Sequence, residues 1–117
     1  MEKNLLIIDD DVDFGSQVGE FLEFEGYNVQ IINEPANVKN IEGQFDIFLI
    51  DLKMPNISGV DLIRYIRKTY PGSALYVISG LPSLEKFIKD EGLREYINGC
   101  LSKPFSPEKL LEILQSS

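Results

Sequence analysis

The chain has no histidine, no tryptophan and one cysteine, Cys100, and it carries only 11 lysines and arginines against 19 acids in 117 residues. Each shortage excludes something. Without imidazole the commonest zinc ligand and the commonest general base are both missing, so any imidazole chemistry has to come from a partner. One cysteine cannot build an internal disulfide framework. The formal net charge of −8 opposes direct binding to nucleic acid or to an anionic membrane, whose phosphates would repel it, and favours a protein partner with a basic face. There is no long apolar run and no signal-peptide pattern, so the expected location is the cytoplasm. Low-complexity and linker-like stretches are absent too, and the length suits one core. Residues 1–117 are therefore expected to form a single domain with no appended effector domain.

What is present is a repeat of short apolar runs and amphipathic stretches. "NLLIID" (4–9) is continuously apolar and ends in acid, as in a strand buried on both faces. From Asp13, the residues Phe14, Val18, Phe21 and Leu22 recur at helical spacing and Gly26 supplies a stop. "YNVQII" (27–32) reads as a second strand, and 35–43 as a weaker helix anchored by Val38 and Ile41. "FDIFLID" (45–51) is a third strand. The stretch 59–69 places Val60, Leu62, Ile63 and Ile66 on one helical face. "ALYVIS" (74–79) is a fourth strand, 82–91 a helix with Leu84, Phe87 and Ile88, "NGCLSK" (98–103) a fifth strand, and 107–114 a closing helix. Five strands alternating with five helices predict an α/β, doubly wound parallel sheet covered on both faces.

In such a sheet ligands bind outside the carboxyl ends of the strands. Strand 1 ends in Asp9, Asp10 and Asp11, strand 3 in Asp51, strand 4 in Ser79 and strand 5 in Lys103, followed by Pro104. Taken singly, each has an ordinary explanation: helix caps for the first acids, loop entry for Asp51, a turn for Ser79, a solvated charge for Lys103. Together they are harder to explain by caps. Grouped carboxylates repel unless a cation sits among them, and hard oxygen donors with room for water and phosphate suit Mg2+. An aspartate so neutralised can attack phosphorus and carry an aspartyl phosphate, with Lys103 and Ser79 contacting the phosphoryl oxygens.

The motifs "LIIDDD", "LIDLKMPNISG", "YVISG" and "LSKPF" resemble those of receiver domains of two-component response regulators, over nearly the whole chain. The resemblance implies a flavodoxin-like (βα)5 fold with strand order 2-1-3-4-5. It makes Asp51 the phosphoacceptor, Asp9 and Asp10 the acidic pair that binds Mg2+ with Asp51 and the backbone carbonyl of Lys53, Ser79 the hydroxyl residue, and Lys103 the lysine, with a cis bond to Pro104. The implied donor is a phosphohistidine on a sensor histidine kinase or histidine phosphotransfer protein. The implied readout is an output protein or appended domain, with a homodimer as a further possibility. Such a protein is a switch first and a slow self-dephosphorylating catalyst second.

Two features depart from the family pattern. Where a tyrosine or phenylalanine usually swings inward on activation stands Cys100, which reads as a small core residue. Ser79 and Lys103 lie 24 residues apart, slightly more than is usual. Two competing readings share parts of the site. A Mg2+-dependent phosphohydrolase with an aspartyl-phosphate intermediate needs an acid two residues past its nucleophile, where this chain has Lys53. A flavodoxin-like binding module that is never phosphorylated does not need the complete site.

Overall fold

The computed structural model describes residues 2–116; the outermost expected domain positions, Met1 and Ser117, lie outside the described residues. Three of the apolar runs become central strands: β1 (Asn4–Ile8), β3 (Ile47–Asp51) and β4 (Ala74–Ser79), with β2 (Asn28–Ile32) and β5 (Gly99–Ser102) at the edges. All pairings are parallel, in the order β2-β1-β3-β4-β5. The continuous apolarity of β1 and β3 has its reason here, because both faces of these strands are covered. Alternate residues feed two cores. Leu6, Ile8, Phe48 and Ile50 face α2 (Gly59–Thr69) and α3 (Leu84–Asp90). Leu5, Ile7, Ile47 and Leu49 face α1 (Val12–Phe24) and α4 (Pro107–Gln115). Ile63 and Ile66 of α2 are fully buried, each contributing about 1.5–3 kcal/mol of transfer free energy.

The helices start where the sequence supplies caps. Asp11 accepts from the Phe14 N–H, Ser58 from the Asp61 N–H and Ser106 from the Lys109 N–H, and Pro107 opens α4. Gly59 is required for a different reason. A Cβ there would lie 2.8 Å from the Leu52 carbonyl oxygen and 3.0 Å from its Cα, so only glycine lets α2 begin against the end of β3.

The sequence reading needs correction in the stretch 35–43. The chain forms a 3-10 segment over Pro35–Asn40, with no side-chain cap on Glu34. Among its described side chains Val38 is the one buried apolar residue, and asparagine at 37 and 40 competes with helical hydrogen bonding, so one apolar anchor does not stabilise an α-helix. Among the described residues the fold therefore has four α-helices, with a second 3-10 turn at Arg94–Tyr96. The third helix is also shorter than 82–91, because Ser83 adopts a left-handed conformation (φ 54°) and α3 starts at Leu84. Among the described residues no helix is long and apolar enough to cross a membrane.

Candidate functional site

The ladder register does most of the assembly. Ile8 pairs with Ile50, Asp51 with Ile78 and Ser79 with Ser102, so the polar residues that end these strands lie side by side along one edge of the sheet. Among the described residues, the buried polar side chains are Asp9, Asp51 and Ser79, at 0%, 5% and 0% exposure. All three belong to that edge. Buried polar groups are costly unless partnered, so three at one place indicate a local purpose.

Each is oriented in the same way, by the backbone two residues further on. Asp9 Oδ1 accepts from the Asp11 N–H at 3.0 Å, Asp51 Oδ1 from the Lys53 N–H at 3.0 Å, and Ser79 Oγ from the Leu81 N–H at 3.1 Å. Such turns leave the second carboxylate oxygen free to face its neighbours. Lys103 Nζ donates to Asp9 Oδ2 at 2.8 Å and stands 3.6 Å from Asp51 Oδ2. Its backbone N–H donates to the Ser79 carbonyl at 2.8 Å, which ties the lysine to the end of β4. The Lys103–Pro104 bond is cis.

Electrostatically the cluster is short of positive charge. Carboxylate oxygens of Asp9, Asp10 and Asp51 lie within 4.8 Å of one another, with the single Lys103 ammonium between two of them. Burial is the main reason the Asp51 carboxyl is pushed up to about 6. Asp9 pushes it further in the same direction, against the lowering effects of the Lys53 N–H and Lys103. Three carboxylates facing one ammonium still leave a surplus of negative charge. All-oxygen donors and that surplus fit a hard divalent cation such as Mg2+.

The structure thus brings Asp9, Asp10, Asp51 and Lys103 together. It sets Ser79 at the adjacent strand end and the Lys53 backbone in the turn closing on Asp51, with the Lys53 side chain exposed. Cys100 is half-buried on the α3 side of β5, beside a cavity of about 190 Å3 that Glu85, Ile88 and Arg94 also line. Sequence reasoning gave Phe14 only a helix-anchoring role. Its ring also carries the Lys103 ammonium 4.0 Å from its centroid, and no periodicity in the sequence signals this.

A parallel α/β sheet with an acidic pocket and a lysine at its C-terminal edge defines a class, and the sequence profile of that class matches: the chain belongs to the response regulator receiver domain family, over residues 5–115. A CheY-like receiver domain protein from Methanospirillum hungatei superposes with a TM-score of 0.84 at 31% identity, covering 99% of this chain and 93% of that one. A Burkholderia pseudomallei response regulator, solved with a phosphorylated aspartic acid and a calcium ion, superposes with a TM-score of 0.83 at 28% identity, over 98% of this chain and 68% of that one. By sequence, the protein named probable transcriptional regulator ycf29 of Pyropia yezoensis is 30% identical, covering 99% of this chain and 53% of the relative. The chain spans about half the length of the curated relatives it matches.

Proposed function

We propose that the chain is a phosphoacceptor switch that takes a phosphoryl group onto Asp51 from a phosphohistidine on a sensor histidine kinase or phosphotransfer protein. The observation that carries the reading is the convergence of Asp9, Asp10 and Lys103 on the Asp51 carboxylate. Asp51 Oδ2 attacks phosphorus, the P–N bond breaks, and the donor imidazole leaves with the electron pair and takes up a proton. Lys103 moves its charge from Asp9 to the incoming phosphoryl oxygens, and the Ser79 hydroxyl donates to one of them. Asp9, Asp10, Asp51 and the Lys53 carbonyl would hold Mg2+, which neutralises charge between the acceptor and the phosphoryl group. Water later breaks the O–P bond, restoring the carboxylate and releasing inorganic phosphate.

The absence of histidine from residues 1–117 supports the direction of transfer, since these residues cannot supply the donor imidazole. The readout is an output protein or an appended domain, and homodimerisation is one way to couple the two. Residues 1–117 act as one receiver unit in the cytoplasm, with no direct contact to nucleic acid or membrane. Incubation with acetyl phosphate and Mg2+ tests the reading: intact mass rises by one phosphoryl group in the native chain and does not change in Asp51→Asn. Equal labelling of the two chains would refute it.

A further inference from the structure

Phe14 lies in the first turn of α1, where its N–H caps onto Asp11 at 3.1 Å, and it borders the core beneath that helix. Helical spacing accounts for its position, but not for what its ring faces. The Lys103 ammonium sits over the ring, 4.0 Å from the centroid, and Phe105 packs against Phe14 in a T-shaped pair at 5.7 Å and 82°. The residue that fixes the ring therefore belongs to the same segment as the lysine it supports. At this distance the negative face of the ring attracts the cation, and because the Lys103 side chain is only 20% exposed, water competes weakly.

Three groups therefore hold the ammonium: Asp9 at 2.8 Å, Asp51 at 3.6 Å and the Phe14 face. The reaction alters two of them. Asp9 would turn its charge to a bound Mg2+, and Asp51 would become the phosphoryl carrier. The ring's attraction does not change during either event, so it can keep the lysine from swinging into solvent when its strongest ion pair is lost. We propose that Phe14 is a positioning residue for phosphoryl transfer, its ring face keeping the Lys103 ammonium over the carboxylate pocket while Asp9 is engaged by the metal. This rests on the reading in which Asp51 accepts the phosphoryl group.

The test uses Phe14→Leu, Phe14→Tyr and a series with increasingly fluorinated phenylalanine at position 14, since fluorine drains the ring's negative face with little change of shape. In the metal-free chain, the Lys103 ε-methylene proton resonances should lie upfield of those of the other lysines and lose that displacement in Phe14→Leu. With acetyl phosphate and saturating Mg2+, the phosphorylation rate should fall about three- to tenfold in Phe14→Leu. It should also fall stepwise with fluorination and stay at the native level in Phe14→Tyr. Calorimetric Mg2+ affinity should be the same throughout. Fluorinated chains as fast as the native one, or upfield lysine resonances that persist in Phe14→Leu, would overturn the proposal. A native chain that takes up no phosphoryl group would overturn the phosphoacceptor reading and the positioning role with it.

Discussion

The two ends of the sheet treat charge in opposite ways. At the N-terminal end, the Arg67 guanidinium donates to four neutral oxygens: the carbonyls of Tyr96 at 2.9 Å, Pro71 at 3.2 Å and Ser73 at 2.7 Å, and Asn98 Oδ1 at 3.1 Å. Asp46 accepts the Asn4 N–H at 2.8 Å, and the Asn28 amide reaches the Asn4 side chain at 2.8 Å. That network stitches the entry of β4 and β5 to the end of α2. At the C-terminal end, three carboxylates share one ammonium and an acid is held with its pKa raised. One end is satisfied and serves the fold, whereas the other holds a surplus of negative charge that a divalent cation would relieve. Stability and function have been separated along the strand direction.

Removing the key donor at the satisfied end should have the largest effect. Arg67→Met leaves four acceptors short of a charged donor and should cost about 2–3 kcal/mol of unfolding free energy. Chemical denaturation measures this, and Mg2+ affinity should not move. If Mg2+ affinity falls in parallel, the two ends are not independent.

The opposite sign is expected at the other end. Because the folded-state pKa of Asp51 is raised to about 6, the native chain keeps its proton more tightly than the unfolded one. The stabilising contribution is complete below the ordinary carboxylate range and is lost as pH rises through roughly 4 to 6. In metal-free protein at pH 7, Asp51→Asn should therefore be more stable than the native chain by about 1–2 kcal/mol, less than the full displacement converts to because water at the pocket mouth screens the charge. The advantage should vanish below about pH 4. Paired denaturation curves across pH measure it, and an advantage that persisted at low pH would mean that packing rather than charge is responsible.

Asp10→Asn should weaken Mg2+ binding about tenfold, equivalent to ~1.4 kcal/mol, with little change in stability because Asp10 is the most exposed of the three acids. Calorimetric titration decides this. The smallest effect is expected at Leu81, which is half-buried against the core and donates its N–H to Ser79. An apolar side chain there should hinder the hydrolytic water, so Leu81→Asn should shorten the phosphoryl lifetime by a few-fold, on the order of 1 kcal/mol in barrier. Decay of the phosphorylated mass peak reads it directly.

Much of the fold was legible locally. The apolar runs at 4–9, 45–51 and 74–79 read as buried strands, and the acids after the first of them read as helix caps, the part that Asp11 takes in the structure. The segment after β2 was not legible in this way. Val38 and Ile41 carry a helical spacing, but whether two anchors make an α-helix depends on what they can bury against, and only Val38 found a buried place. Ser83 is a second case. Its left-handed backbone shortens α3, and serine in a sequence does not announce that conformation.

The sequence by itself determined which residue types end the strands. An acid triplet after β1, an acid at the end of β3, a serine at the end of β4 and a lysine after β5 are local facts, and alternating βα units carry them to one edge because parallel strands all point the same way. Only the tertiary structure decided how these groups divide their attractions. The Lys103 ammonium pairs more closely with Asp9 than with Asp51, and it lies on the Phe14 ring. Those contacts depend on side-chain directions across β1, α1, β3 and the turn after β5. No local pattern encodes them, because each is fixed by the packing of segments far apart in the chain.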